Sequence, residues 1–448
     1  MNLSPQKRVA FYTLGCKTNQ YDTEAMQERF VKKGYKVVSF NEPSDVYVVN
    51  TCTVTNLGDR KSRQIVRKAH RTNPNAVIAV VGCYAQQAAE EVLSIPGVRV
   101  ALGTQNRNRI VEYVEMAETE DICINAVEDI MKVREFEDTP IESFEGKTRA
   151  VLKIQEGCNQ FCSYCIIPHA RGPVRSRKPV SVMEEVQRLA DAGFKEIVLT
   201  GIHIASYGRD LKTTNLLELL KSIHEVEGIR RIRLGSIEPT LLTPEFVRRL
   251  RQLPKVCRHY HISLQSGSST VLKRMNRKYT AEQYRDIVRN LRREIPEAAI
   301  TTDVMVGFPG ETQEEFMETR AFVEEIAFSR IHVFPYSPRK GTPAASFADQ
   351  VPAGIKEKRS RQLIALGRSL EQAYIKQFEG RQVMVLFEEE HPDLEGCYEG
   401  YTDQYVRVMV QGGPELEGKL LPVMVEEALE GCLKGRTMGL NKEAESDK

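Results

Sequence analysis

The 448-residue sequence has no apolar stretch that approaches the roughly 20 residues of a membrane-spanning helix. Its first residues, MNLSPQKRVAFYTLGC, contain too short an apolar run for a secretory signal peptide. We therefore expect a cytoplasmic protein that does not associate with a membrane. A hydrophobic content of 41% and a charged content of 28% are typical of a soluble globular protein. The length predicts two or three domains rather than a single core.

Net charge is also nearly absent, with a formal value of only +2 at pH 7. A chain this close to neutral has no general attraction for nucleic acid, so RNA binding would require basic residues clustered locally. The ten cysteines are poor candidates for disulfides in a reducing cytoplasm. Metal or redox chemistry is the better explanation for them.

The first 110 residues alternate apolar strands with helical segments. The runs RVAFYTLG, DVYVVNTC and NAVIAVVGCY are continuous, which is typical of parallel strands covered on both faces. A cysteine stands at the carboxyl end of each predicted strand. These cysteines are Cys16, Cys52 and Cys83. Because the carboxyl ends of parallel strands share one sheet edge, these thiols are predicted to meet there as ligands of a metal cluster. The alternative is three unrelated cysteines that act as small buried hydrophobes.

A basic helix, DRKSRQIVRKAHR, is predicted between the second and third of these cysteines. Its arginines recur every three or four residues and so share one helix face; they are Arg60, Arg63, Arg67 and Arg71. Solvated helix faces usually mix charges of both signs. A face of one sign beside a sheet edge instead favours phosphate binding.

The stretch EGCNQFCSYCIIPHARG lacks the fourth ligand that a closed tetrahedral metal site requires. Its cysteines, Cys158, Cys162 and Cys165, have the spacing C-x3-C-x2-C. Three thiolates can hold three corners of a 4Fe–4S cube and leave the fourth iron open to a substrate or cofactor. Zinc is the alternative, but no nearby residue has the conventional spacing of a fourth zinc ligand.

The rest of the chain predicts two further folding units. Six apolar strands alternate with helical segments after an acidic link, which indicates a parallel (β/α)6 partial barrel with its functional groups at the C-terminal strand ends. Short, partly alternating runs then predict a small antiparallel β-barrel. The expected fold class is therefore α/β with a C-terminal β-barrel. The predicted segments are 1–114, a linker at 115–146, 147–376 and 377–440.

The C-x3-C-x2-C motif with an aromatic residue before its last cysteine, Tyr164, resembles the signature of radical S-adenosylmethionine enzymes. The resemblance implies that the open iron binds S-adenosylmethionine, whose reductive cleavage yields a 5′-deoxyadenosyl radical. It also implies that Tyr164 and residues at the strand ends contact this cofactor. The implied strand-end residues are Gly201, Ser236, Glu238 and Gln265, with Phe334 near the adenine. Polar residues at such positions can also serve only to cap the next helix.

A three-cysteine α/β domain, a radical S-adenosylmethionine barrel and a barrel similar to the RNA-binding TRAM domain together resemble the methylthiotransferases over essentially the whole chain. The resemblance implies that Cys16, Cys52 and Cys83 hold a second 4Fe–4S cluster, where sulfur is carried. It further implies two molecules of S-adenosylmethionine, one as methyl donor and one as radical source, and an electron donor as partner. The last barrel has thirteen acids against three bases between Phe378 and Glu430, so its net field does not attract phosphates.

The amino-acid sequences of two motifs, NTCTVTNLGDRKSRQ and CSYCIIPHARGPVRSRKP, are most similar to those of one branch of the family. This branch acts on threonylcarbamoyl-adenosine next to the tRNA anticodon. This resemblance implies a 2-methylthio product and a tRNA anticodon stem-loop as partner. Two sister branches stay open, one acting on isopentenyl-adenosine in tRNA and one on an aspartate of a ribosomal protein. The RNA backbone is expected at the basic helix and at four residues that follow the radical cluster, Arg171, Arg175, Arg177 and Lys178.

Two functions outside the family stay open as well. A non-catalytic iron–sulfur protein could bind RNA, and a cysteine-based redox sensor could do so without turnover of S-adenosylmethionine. No residue for proton transfer can be identified from the sequence. Four cysteines match no ligand spacing and are expected to be ordinary thiols: Cys123, Cys257, Cys397 and Cys432.

Overall fold

The computed structural model describes residues 6–141 and 148–438. Residues 142–146 of the expected linker, and the expected segment ends at 1–5, 147 and 439–440, lie outside the described residues. No helix within the two described ranges is long and apolar enough to cross a membrane.

The N-terminal domain is a six-stranded sheet with helices on both faces. Its strands are β1 (Arg8–Thr13), β2 (Lys36–Val38), β3 (Val46–Thr51), β4 (Val77–Gly82), β5 (Val98–Leu102) and β6 (Ile124–Asn125). Its helices are α1 (Lys17–Lys32), α2 (Asn56–Thr72), α3 (Cys83–Gln87), α4 (Ala89–Leu93) and α5 (Ile110–Thr119). All pairings are parallel in the order β2-β1-β3-β4-β5-β6. Every residue of β3 and β4 is buried, which explains their continuous apolar sequence.

This domain extends beyond its expected end at residue 114. Helix α5 continues to Thr119, and β6 pairs with β5 within the segment that was expected to be a linker. Val114 and Ala117 of α5 are buried against the sheet, whereas Glu118 and Glu120 point to solvent. The acidic composition therefore reflects an exposed helix face and the turn after it.

The central domain forms the partial barrel. Its strands are β7 (Arg149–Glu156), β8 (Arg175–Ser176), β9 (Glu196–Gly201), β10 (Arg231–Leu234), β11 (His259–His261), β12 (Ala299–Val306) and β13 (Arg330–Pro335). Its helices are α6 (Ile167–Arg171), α7 (Pro179–Asp191), α8 (Leu216–Glu225), α9 (Pro244–Leu250), α10 (Ser269–Arg274), α11 (Ala281–Glu294), α12 (Gln313–Ile326) and α13 (Ala353–Lys376).

Two hydrogen-bonded sheets, β10-β9-β7-β8 and β11-β12-β13, make up the wall of this barrel. Single parallel bridges, Ile232 with Val256 and Ile237 with Ile262, join the two sheets. The six predicted parallel strands are therefore present, and the short β8 adds an antiparallel edge to β7. Their outer faces bury the largest apolar core of the molecule against the surrounding helices.

The C-terminal domain is the predicted closed barrel. Its strands are β14 (Gln382–Glu390), β15 (Cys397–Tyr401), β16 (Arg407–Gln411), β17 (Leu420–Leu429) and β18 (Cys432–Thr437). The order around the barrel is β14-β15-β16-β18-β17. The β16–β18 pair is parallel, so the expectation of a fully antiparallel barrel is wrong at this seam. A closed ring with an odd number of strands cannot alternate direction at every pair.

The C-terminal barrel closes the N-terminal end of the central barrel. Arg233 of β10 donates to the backbone carbonyls of Thr402 and Asp403 at 3.1 and 3.0 Å. Tyr405 stacks on Tyr401 with ring centroids 4.8 Å apart. The loop that carries Cys158, Cys162 and Cys165 follows β7 and therefore lies at the opposite, C-terminal end of the central barrel.

Candidate active site

The N-terminal cysteines lie at one edge of the sheet, as their positions in the sequence predict. Cys16 precedes α1, Cys52 follows β3 and Cys83 begins α3. Gly15 has a φ of +107°, and a Cβ there would come within 2.9 Å of the Cys52 Cβ, so only glycine permits this close approach. Burial raises the pKa of Cys83 to about 11 against the opposing effect of Arg171, and the neighbouring thiols of Cys52 and Cys16 add to the rise.

The second set of cysteines lies in the loop between β7 and α6. The Cys158 N–H donates to the Gly172 carbonyl at 3.0 Å, and the Cys165 N–H donates to the Cys162 carbonyl at 3.0 Å. Burial raises the pKa of Cys158 to about 11 and that of Cys165 to about 12, and the Cys162 thiol contributes to both shifts. Because metal ligands must be thiolates, such thiols fit a site whose bound cation compensates the negative charge.

The chemistry of the two donor sets can be compared with that of known metal sites. Within residues 6–141 and 148–438, no group of three or more His, Cys, Asp and Glu side chains could hold one metal ion. In a 4Fe–4S cube each cysteine binds a different iron, so its ligands stand further apart than those of a single ion. Each cysteine set supplies three thiols, the number that holds a 4Fe–4S cube with one open iron.

Buried polar atoms without partners lie beside the second set of cysteines. Glu238 is 6% exposed, and its Oε2 accepts from Arg277 Nη2 at 2.8 Å. Among the described residues Glu238 Oε1 and His203 Nε2 have no hydrogen-bond partner, and His203 Nε2 lies 3.8 Å from Glu238 Oε2. Since buried polar atoms are nearly always paired, these two fit a site that receives a polar ligand such as S-adenosylmethionine.

Arg277 lies at the candidate site, although the sequence did not single it out. Its Nη1 donates to Cys162 Sγ at 3.3 Å while its Nη2 holds Glu238, so it joins the cysteine loop to the candidate cofactor site. It stands in the basic stretch KRMNRK, where nothing distinguishes one cation from the next. Only the packing of the loop after α10 against the cysteine loop singles it out.

The remaining cofactor candidates occupy strand ends. A Cβ on Gly201 would come within 2.9 Å of the Gln155 carbonyl oxygen, and Ser236 is exposed just beyond β10. Gln265 has a φ of +71°, a strained conformation for a non-glycine residue that is often found at functional sites. Phe334 is 47% exposed on β13. Tyr164 is half-buried and packs against an apolar cluster formed by Val271, Met275, Phe308, Tyr336 and Ala344.

Three arginines that were expected to contact RNA are buried. Arg171 and Arg175 are 0% exposed and Arg177 is 1% exposed, so that expectation is wrong for all three. Arg171 pairs with Glu156 at 3.0 Å, and Arg177 pairs with Glu185 at 2.6 Å. Lys178, the last of the four, is exposed. The N-terminal domain packs over this segment, which spacing in the sequence cannot reveal.

Helix α1 supplies polar side chains that contact Arg171. Its Asp22 is 2% exposed and pairs with Arg107 and Lys153. Burial would raise the pKa of Asp22, but Arg107, Lys153 and Arg171 outweigh it and hold that pKa below its usual range. Thr18 and Asn19 are buried on the same helix. The weakly apolar pattern of α1 was therefore a signal in the sequence that could have indicated a polar interface.

The basic helix forms as predicted and is exposed. Arg60, Arg67 and Arg71 of α2 reach solvent, whereas Arg63 is half-buried and pairs with Glu91 at 3.1 Å. The N-terminal end of α2 is fastened to the central domain, because Arg339 pairs with Asp59 at 2.6 Å.

Comparison with known proteins agrees with this architecture. Residues 152–323 match the model of the Radical SAM superfamily, and residues 8–103 match the model described as Uncharacterized protein family UPF0004. A solved radical S-adenosylmethionine methyltransferase, TsrM from Kitasatospora setae, shares the fold with a TM-score of 0.58 at 16% identity, covering 76% of this chain and 77% of that one. The fold and the cysteine loop thus define a radical S-adenosylmethionine enzyme.

Similarity to curated proteins indicates which family of radical S-adenosylmethionine enzymes the chain belongs to. The chain is 49% identical to the threonylcarbamoyladenosine tRNA methylthiotransferase MtaB of Bacillus subtilis, over 94% of each chain. It is 40% identical to the MtaB of Aquifex aeolicus, over 93% of this chain and all of that one. It is 36% identical to the tRNA-2-methylthio-N(6)-dimethylallyladenosine synthase of Clostridium tetani, over 94% of each chain. The chain belongs to the methylthiotransferase family of radical S-adenosylmethionine enzymes, whose cofactors are 4Fe–4S clusters and S-adenosylmethionine.

Proposed function

We propose that the protein methylthiolates threonylcarbamoyl-adenosine next to the anticodon of tRNA, using two molecules of S-adenosylmethionine and two 4Fe–4S clusters. The observation that supports the two-cluster chemistry is the pair of three-cysteine sites, each at the C-terminal strand ends of its own sheet and joined through Arg171. Identities of 49% and 40% to relatives named for threonylcarbamoyladenosine, against 36% to one named for dimethylallyladenosine, support the substrate.

Each of the two three-cysteine sets would hold its own cluster. Cys158, Cys162 and Cys165 would hold the radical cluster, and Cys16, Cys52 and Cys83 would hold the cluster that carries sulfur. Bound S-adenosylmethionine supplies a 5′-deoxyadenosyl radical for hydrogen abstraction and, from a second molecule, a methyl group. Next to the radical cluster, Glu238 Oε1 and His203 Nε2 would orient polar groups of the cofactor, while Arg277 and Ser206 hold the other polar atoms of these two side chains.

The tRNA backbone is assigned to the exposed side of α2. Arg60, Arg67 and Arg71 reach solvent on one helix, and Asp59 of that helix pairs with Arg339 of the central domain. Lys178 remains a further contact, whereas the three buried arginines are excluded. The acidic C-terminal barrel cannot attract phosphates by its net charge, so α2 supplies the electrostatic attraction. This substrate locates the protein in the cytoplasm, with a one-electron donor as a further partner.

Mass spectrometry of tRNA nucleosides tests the substrate directly. Cells without the gene should lose 2-methylthio-threonylcarbamoyl-adenosine and accumulate its unthiolated precursor. The intact gene should restore the product, and a matched copy that carries Cys158→Ala should not. A change in the isopentenyl nucleoside instead would contradict the branch, and no change in any nucleoside would point to the ribosomal protein. Failure of the reduced, reconstituted protein to form 5′-deoxyadenosine would favour the non-catalytic alternatives.

A further inference from the structure

A buried set of charges between the two cysteine sites contains one more cation than it has carboxylates. The cations are Arg107, Lys153, Arg171 and Arg175, and the carboxylates are Asp22, Glu137 and Glu156. Each of these side chains is at most 6% exposed. Arg177, further along the same segment, is not part of the set because Glu185 pairs with it.

Arg175 carries the charge that lacks a partner. It is 0% exposed, its Nη1 donates to the Pro173 carbonyl at 3.0 Å, and within residues 6–141 and 148–438 its Nε and Nη2 have no hydrogen-bond partner. A buried charge without a counter-ion is strongly destabilising. An anion bound near this set would therefore complete it.

Arg171 is the member of this set that contacts an N-terminal cysteine. Its Nε donates to Cys83 Sγ at 3.1 Å, and its Nη1 donates to Glu156 at 3.0 Å and to Asp22 at 3.2 Å. Its Nη2 donates to Asn19, so every edge of the guanidinium is held. Arg171 ends α6 only six residues after Cys165, and it therefore connects the two cysteine sites physically.

We propose that Arg171 is a positioning residue that raises the reduction potential of a cluster held by Cys16, Cys52 and Cys83, by donating an N–H to the Cys83 thiolate. Arg175 adds its charge to the set around Arg171, and through that set it would help to balance the anionic cluster. Hydrogen bonds to cluster sulfurs and nearby positive charge stabilise the reduced form of a cluster. The inference rests on the proposed function, because it requires a cluster at this site.

The alternative is that Arg171 serves only as an ionic link between two domains. The matched control is Arg107, a buried arginine of the same set that pairs with Asp22, Glu137 and Glu156 and that has no cysteine contact. A purely structural role predicts similar effects of both arginines on stability and no specific effect of Arg171 on the cluster.

The test uses full-length protein in which Cys158, Cys162 and Cys165 are all replaced by Ala, so that iron can bind only at the N-terminal site. Arg171→Gln, Arg171→Lys and Arg107→Gln are compared in this background by iron content and by redox titration followed by electron paramagnetic resonance. Arg171→Gln should shift the midpoint potential to a clearly more negative value. Arg171→Lys, which keeps the charge, should restore part of the shift, and Arg107→Gln should cause a smaller one.

Iron-loaded Arg171→Gln protein with an unchanged potential, or with the same shift as Arg107→Gln, would overturn the inference and leave the proposed function intact. If Arg171→Gln does not fold or bind iron, the Arg171→Lys variant is the test. The inference then requires that its midpoint potential lie below that of the parent, and an equal potential would overturn the inference. If the parent protein binds no iron, there is no N-terminal cluster. That result would contradict both the proposed two-cluster function and this inference.

Metal-free protein gives an independent readout through Arg175. Arg175→Gln removes the unpaired buried cation, so it should raise the melting temperature of the iron-free protein and lower that of the iron-loaded protein relative to their parents. Destabilisation of both forms by the same amount would contradict the charge-balancing role.

Discussion

At the scale of single residues, Glu238 shows how burial prepares a side chain for a ligand. One carboxylate oxygen is held by Arg277 and the other is buried without a partner. We expect Glu238→Gln to weaken S-adenosylmethionine binding by about tenfold, because a charge-assisted hydrogen bond to a cationic ligand is worth about 1.5–3 kcal/mol. Equilibrium dialysis of the reconstituted protein measures this loss. Glu245→Gln, on the exposed start of α9, is the control, and equal affinities of the two variants would contradict the role of Glu238.

The cysteines give a second prediction at this scale. Cys257 is buried, and burial raises the pKa of its thiol to about 12, but it is not part of either three-cysteine set. We expect Cys257→Ala to keep the full iron content, whereas Cys158→Ala should lose about half of it and all formation of 5′-deoxyadenosine. Iron analysis after anaerobic reconstitution distinguishes the two variants. Iron loss from Cys257→Ala would show that the division of the cysteines is wrong.

At the scale of elements, the loop after β13 fastens the N-terminal domain to the central barrel. Arg339, 7% exposed, pairs with Asp59 at 2.6 Å and donates to Asn56 at 2.6 Å. Removing one partner of a buried ion pair costs about 3 kcal/mol or more, so Arg339→Ala should lower the free energy of unfolding by about that amount. Denaturant titration measures it.

The control for this contact is Arg361→Ala on α13, which breaks an exposed pair with Glu357. Exposed pairs contribute at most about 1 kcal/mol, so this variant should be nearly as stable as the parent. Equal stability of the Arg339 and Arg361 variants would show that the loop does not fasten the two domains.

Helix α2 supports a prediction about RNA. Replacing Arg60, Arg67 and Arg71 together by Gln should weaken tRNA binding and reduce the slope of log affinity against log salt by about 2, because each phosphate contact contributes about 0.7 to 0.9. Filter binding at several salt concentrations gives the slope. Arg320→Gln, on the exposed side of α12, should leave the slope unchanged. An unchanged slope in the triple variant would remove α2 from the RNA surface.

At the scale of the whole molecule, the C-terminal barrel packs against the N-terminal end of the central barrel. Tyr405 stacks on Tyr401 and lies against Arg149 and Arg233, with the arginine carbons 5.2 and 4.6 Å from its ring centre. Tyr405→Ala should lower the free energy of unfolding by about 2 kcal/mol, since truncation of packed aromatic residues typically costs 3–5 kcal/mol and this ring is half-buried. Thermal unfolding measures the loss. Leu394→Ala, exposed on the same barrel, should have little effect, and a matching result for both would argue against the docked arrangement.

The sequence by itself determined the features that depend on short-range spacing. The cysteine loop at 158–165 and the cysteines at three strand ends follow from local periodicity, because parallel strands place their carboxyl ends at one edge. The exposed arginines of α2 follow from helical spacing in the same way. The alternation of strands and helices also predicted the order of the three domains.

Only the tertiary structure decided which charged residues are buried and what they touch. Arg171 and Arg175 have the sequence context of an RNA-binding segment, yet both are buried, and Arg171 contacts Cys83 and Asp22 of another domain. Arg277 likewise acquires its position beside Cys162 only when distant loops pack together. Burial depends on which surfaces meet across domains, and residues such as Asp22 and Lys153, 131 positions apart, leave no local pattern of that meeting.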